Sequence, residues 1–273
     1  MDRSGVKTVV IVLLLIVNIA AAAAFGYRGI SRVRAEKELL SEAERYIRSC
    51  GVALADGVLN AETRSYEILT YARDPEAENA FAQALSGSSE RASLGSGTAR
   101  YTGVRGTVTL TEGCGVSAVI ADCGLRPKSA GDARRRLVRL LASAGLELSE
   151  AKSECHEEAD GWEILLRNYL AGVAVANETL SAHLDRSGAL TLTGRWRIGG
   201  RAESSELANL SQAAAVARFV GSEAHELAEI SEAETLYYLY EEVNGATSVL
   251  PVFRLRTGER NLVLDPITAS PLE

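Results

Sequence analysis

The chain has 273 residues, 47% of them hydrophobic and 24% charged, with a formal net charge of −7. That balance disfavours extensive disorder. The acidic excess and 5% aromatic content argue against a nucleic-acid partner, which is held largely by Lys and Arg neutralising phosphates.

From Thr8 to Tyr27 no residue is charged, about the ~20 residues an α-helix needs to cross a ~30 Å hydrocarbon core. We expect residues 1–7 to be a short start and 8–30 a transmembrane helix in the lipid bilayer. A cleaved secretory signal is the alternative, since Arg3 and Lys7 make a basic start and Ala20 to Ala24 offer small residues for cleavage. Charge leaves both orientations open: Arg28, Arg32, Arg34 and Lys37 outnumber Arg3 and Lys7, but the rule that reads them weakens before a long domain.

Residues 32–49 follow as a helix, with Leu39, Leu40, Ala43, Tyr46 and Ile47 on one stripe. ETRSYEILTYARD reads as a strand, and Asp74-Pro75 caps a helix in PEAENAFAQALS. The polar SGSSERASLGSGT reads as a loop, then RGTVTLTE and GVSAVIAD as a hairpin turning at Gly113 to Gly115. GDARRRLVRLLASAG is a helix with Leu137, Leu140, Leu141 and Ala144 on one face, ending at Gly145. Three strand-like runs follow it between Trp162 and Gly200. A third helix in SQAAAVARFVGSEAHE then leads into strands in SEAETLYYLYEEV, SVLPVFRLRT and NLVLDPITASPL. A helix followed by an antiparallel meander, used at least twice, is the inferred organisation.

Candidate chemistry is sparse. His225 opens an H-E-x-x-H-like stretch, but Glu229 stands where the second ligand belongs, so no metal is expected. His156, His183 and His225 are far apart in sequence. Glu157-Glu158 and Glu241-Glu242 are adjacent pairs whose side chains diverge on a strand. Arg134, Arg135, Arg136 and Arg139 read as the solvated side of a helix, with an anionic membrane or an acidic partner as the alternative. Asn177-Glu178-Thr179 fits a glycosylation acceptor, a triplet common by chance. Cys50, Cys114, Cys123 and Cys155 lack paired zinc spacing. Cys114 and Cys123 flank an extended run whose ends lie about 30 Å apart, too far for a disulfide.

Met1-Asp2, Ser4, Lys7-Thr8, Ile11 and Asn18-Ile19 resemble the opening of YycI, of the YycI/YycH regulatory proteins of the WalRK two-component system. Arg3 and Gly5 depart from that pattern. LPVFRLRTGERNLVLDPITASPLE resembles the closing strands of that family, with Asp265-Pro266 and Ser270 replacing part of its turn, and also resembles PepSY-type modules. The resemblance implies a cytoplasmic N-terminus and an extracytoplasmic C-terminal domain at the cell membrane. It also implies a non-enzymatic regulator of a cell-wall-responsive, WalK-like sensor histidine kinase, working with a YycH-like sister protein. In that setting Asn18 would bond a neighbouring helix, a contact of roughly 0.6–2 kcal/mol, with Ala21, Ala22 and Gly26 allowing close approach. The alternative for Asn18 is a bond to water or to its own helix.

The expected fold class is α+β: a single N-terminal transmembrane helix followed by helix-plus-antiparallel-meander, PepSY-like modules. An N-terminal α+β module would occupy 31–125, and 126–273 would hold two helix-meander units. A second functional reading is an exported PepSY-like binding or inhibitor module acting on a peptidase or cell-wall enzyme. Neither reading requires a cofactor. An enzyme ranks third, because no constellation joins nucleophile, base and charge stabiliser.

Overall fold

A computed structural model describes residues 33–272 apart from 61, 88, 200–201, 203, 224–226 and 242–245. The expected span at 8–30, with Asn18, Ala21, Ala22 and Gly26, lies outside the described residues, as does His225.

The chain divides into two compact units. Unit 1 comprises Met1–Arg64, Asn209–Ala233 and Leu255–Glu273, and unit 2 comprises Ser65–Ala208 and Glu234–Arg254.

In unit 1, helix α1 runs over 33–49 and buries Ala43 and Ile47 from the expected stripe, whereas Leu39 and Tyr46 stay exposed. β1 (Ala53–Leu54) pairs in parallel with β12 (Glu229–Ile230). Helix α4 (Gln212–Glu223) buries Ala213, Val216, Phe219 and Val220. Gln212 Oε1 accepts from Asn60 N at 2.9 Å, tying the start of that helix to the segment after β1.

Unit 2 contains β2 (Arg64–Tyr71) from Ser65 onward and two stretches of similar plan. In the first, α2 (Pro75–Ser86) begins at Asp74, whose carboxylate accepts from the Glu76 and Ala77 N–H groups, satisfying donors that a helix start leaves open. Next come β3 (Ser89–Gly95), β4 (Thr98–Gly103), β5 (Gly106–Leu110) and β6 (Gly115–Ile120), each antiparallel to the one before. In the second, α3 (Ala130–Ser143) starts at the Ser129 cap. It leads into β7 (Lys152–Glu157), β8 (Gly161–Leu170), β9 (Val173–Asp185) and β10 (Leu190–Arg195), again consecutive and antiparallel.

Strand alternation then builds the core. Tyr101, Val108, Leu110, Ala118 and Ile120 of the first stretch and Trp162, Ile164, Leu180, Ala182 and Leu192 of the second share one buried cluster with Phe81 and Leu85 of α2 and Leu137 and Leu141 of α3. Burying side chains of this size contributes roughly 1.5–3 kcal/mol each.

The expected fold class needs correction. These stretches are not separate antiparallel modules: β6 pairs with β10, so each covers an edge the other would leave open. β9 then runs on to pair in parallel with β13 (Glu232–Glu241), and β14 (Thr247–Thr257) lies between β13 and β2. The result is a large mixed sheet, in which the strands expected to close a further meander are inserted beside β2. β11 (Ser204–Leu210) also pairs with β2, and β15 (Arg260–Leu264) pairs with β14. Among the described residues no helix is long and apolar enough to cross a membrane, which removes the transmembrane element from the fold as described.

The stretch expected to be a loop, SGSSERASLGSGT, instead contains β3. It is the last strand of the sheet order, and an edge strand does not need the apolar alternation of a strand buried on one face. Its Ser and Gly content hid it. The polar β7 escaped for the same reason of weak pattern.

Candidate functional site

The site grows from an irregularity between β8 and β9. Arg167 pairs with Thr179 and Tyr169 with Ala174, so Asn168 alone faces residues 175–178. A bulge of this size interrupts the ladder and re-aims the side chains it carries. Val175 meets Tyr237 of β13. The Asn177 amide imitates a strand pairing: its Nδ2 donates to the Leu239 carbonyl at 2.9 Å and its Oδ1 accepts from Leu239 N–H at 2.7 Å. This internal use of Asn177 competes with any role as a glycan acceptor.

Glu178, 0% exposed, turns inward. Its Oε1 accepts from the Arg197 backbone N–H at 3.1 Å and from Arg197 Nε at 2.9 Å. Oε2 accepts from Arg197 Nη2 at 3.1 Å and from Asn168 Nδ2 at 2.7 Å. A buried carboxylate is costly unless paired and hydrogen-bonded, and these four donors meet that requirement. The Arg197 guanidinium also lies 4.4 Å from the Tyr71 ring centroid, a cation–π contact. Burial, the largest influence, lowers the Arg197 pKa, but the charge and hydrogen bonds of Glu178 together with Tyr71 more than offset it and the net shift is upward.

A second pair sits at the start of α2. Arg73 Nε donates to Glu78 Oε1 at 2.6 Å, Nη2 to Oε2 at 2.9 Å, and Nη1 to the Gly97 carbonyl at 2.5 Å. The hydrogen-bonded Glu78 raises the Arg73 pKa. Between the two pairs lies a cavity of about 30 Å³ lined by Arg73, Glu78, Cys114, Trp196 and Arg197, room for little more than a water-sized molecule. On the other side of Arg197 a cavity of about 170 Å³ is lined by Tyr71, Glu147, Glu150, Asn168, Tyr169 and Glu178.

Cys114 occupies the β5–β6 turn at φ 61°, with its Sγ 3.4 Å from Thr247 Oγ1. Burial pushes the thiol pKa up, and the Thr247 hydrogen bond offsets this only in part. The thiolate, the reactive form, is thereby disfavoured. All four cysteines are free. The centre therefore consists of two internally neutralised ion pairs and a protonated thiol. Among the described residues no group of three His, Cys, Asp or Glu is placed to hold a metal.

The sheet face opposite α2 and α3 is the other candidate. Register places Thr109, Ser117, Thr193 and Ser181 in one row across β5, β6, β10 and β9. Thr107, Val119, Thr191 and His183 form the next row, with Val119 57% exposed. That second row continues through Glu163 to His156, so folding brings His156 and His183 to either side of one carboxylate. Sequence distance concealed this; the periodicity of three consecutive strands was the available signal. Arg134, Arg135, Arg136 and Arg139 are exposed on α3, as expected, and Arg135 and Arg136 pair with Asp132.

No family model matches the chain, and no curated protein does. An uncharacterized protein from Eubacterium rectale ATCC 33656 is similar in structure with a TM-score of 0.46 and 11% identity, over 81% of this chain and 89% of that one. The YpeB C-terminal domain of Bacillus megaterium gives a TM-score of 0.29 and 8% identity, over 72% of this chain and 93% of that one. Both scores are below 0.5. The comparisons give no support to a regulator of a two-component system, and no helix among the described residues is long and apolar enough to cross a membrane; the 8–30 segment on which that expectation drew lies outside them.

Proposed function

We propose that this chain is a non-enzymatic binding module that docks a protein partner on the open sheet face of unit 2, with a peptidase or cell-wall enzyme as the partner class. The observation that carries this reading is the make-up of that face. Its centre, Thr109, Ser117, Val119, Thr191, Thr193 and Ser181, bears no charge, whereas Arg100, Glu163 and Arg167 stand around it, exposed. Depletion of charge at the centre with a polar rim is the anatomy of a protein interface. The internal neutralisation of Glu178 and Arg197 supports the non-enzymatic half of the reading. The kinase-directed reading draws on the 8–30 segment, outside the described residues, and is not carried forward.

The test is a photo-crosslinking residue placed at Val119, on the open face, or at Arg139, on the solvated side of α3, in the full-length chain in its own cells. Capture of one defined protein from position 119 and none from 139 is the expected result. Capture from neither position, or equally from both, contradicts the assignment of the face.

A further inference from the structure

A separate cleft of about 490 Å³ opens where β13 leaves β9, lined by Arg167, Ala174, Ala176, Glu234, Leu236 and Arg254. This lies in the size range of ligand sites. The two strands meet at one residue pair, Tyr237 with Val175. On the N-terminal side of that pair Glu234, Thr235 and Leu236 border the cleft instead of a strand, so this stretch of β13 presents an open edge. Three extended residues span about 10 Å. Ala174, Ala176 and the buried Leu236 make the floor apolar.

The charges around the cleft are unbalanced. Glu234 forms an ion pair with Arg254, and Glu150 accepts from the Gly172 N–H at 3.4 Å. Arg167 has no ion-pair partner among the described residues. Its cross-strand neighbour is Lys152, whose Nζ sits 4.0 Å from the centroid of the Tyr169 ring, another lining residue. Like charges facing each other across strands are unfavourable, and an anion beside them relieves the repulsion. A guanidinium matches a planar carboxylate with two parallel hydrogen bonds.

We propose that this cleft binds the C-terminal end of an extended peptide, its backbone adding to β13 at 234–236 and its carboxylate meeting Arg167. Strand addition to an exposed edge and capture of a terminal carboxylate are both recurrent modes of peptide recognition. The cleft shares Arg167 with the rim of the open face, but neither assignment depends on the other: the face is tested at Val119 and the cleft at 172–176 and 234–236.

The experiment is hydrogen–deuterium exchange on the full-length protein with a millimolar pool of N-acetylated random tetrapeptides, their C-termini free or amidated, and with inorganic phosphate as a third probe. Slower exchange at 172–176 and 234–236 with the free-acid pool is expected. The effect should be about tenfold or more weaker with the amidated pool and with Arg167→Gln, the size of a lost charge-assisted hydrogen bond. Ala176→Leu, which fills the floor, should abolish it. Arg167 is exposed and faces Lys152, so Arg167→Gln should melt no lower than the wild type and a loss of protection then reports recognition rather than unfolding. Equal protection by acid and amide, protection by phosphate that matches the peptides, or no protection by any pool overturns the proposal.

Discussion

In the first stretch, β3–β6, the strands pair residue for residue apart from one slip between Ser93 and Gly95, whereas in the second, β7–β10, one β8 residue faces four of β9. Both stretches carry a helix on the same kind of apolar sheet face, with Phe81 and Leu85 in one and Leu137 and Leu141 in the other. The regular stretch supplies scaffold. The irregular one carries Glu178 into the interior, Asn177 to β13 and Val175 to Tyr237, so the polar centre arises where the second stretch departs from the first.

The largest expected effect comes from breaking that departure. Glu178→Ala leaves the Arg197 guanidinium, 16% exposed, without its partner and should cost about 3–5 kcal/mol, read from urea unfolding. Glu78→Ala should cost less, because the Arg73 guanidinium it leaves is 23% exposed and keeps its bond to the Gly97 carbonyl. Equal losses would remove the distinction between the two pairs. Asn177→Ala deletes two bonds to Leu239 and should cost about 1–3 kcal/mol, with exchange at Leu239 accelerating ahead of global unfolding.

A subtler effect concerns Cys114. Its raised pKa leaves a smaller thiolate fraction at any pH below that value, so alkylation should be slower than for a free thiol and rise as pH increases. Thr247→Val removes the largest of the contributions that favour the thiolate, leaving only the more distant Arg197 and Arg195 charges, and should slow alkylation further, as followed by intact mass in a variant holding Cys114 alone. Faster alkylation would mark the thiol as activated. The smallest effect belongs to the open face, where Thr193→Val should shift stability by no more than about 0.5 kcal/mol while weakening partner capture.

Sequence reasoning reached the elements with strong local signals. The Asp74-Pro75 start of α2, the leucine stripe of α3 and the Gly113 to Gly115 turn each depend on neighbours in the chain. It missed β3 and β7, whose residues need not alternate because they lie toward sheet margins. It also missed the centre: VAVANETLSAHLD shows period-two alternation with no mark of a bulge, and Glu178 finds Arg197 nineteen residues away. Asn177-Glu178-Thr179 held the relevant residues but read as a chance acceptor triplet. The Arg73–Glu78 pair was the more accessible signal, an Arg and a Glu within one turn of a predicted helix start.

The central claim is that the bulge holds a fixed structural pair rather than a reactive one, and a double-mutant cycle on Glu178→Gln and Arg197→Met in the full-length chain tests it most directly. The account predicts that each single change destabilises, and that the double change costs less than their sum by an interaction of about 0.5–3 kcal/mol. Single changes that leave stability untouched, or losses that simply add, would contradict it and return both residues to the list of groups available for chemistry.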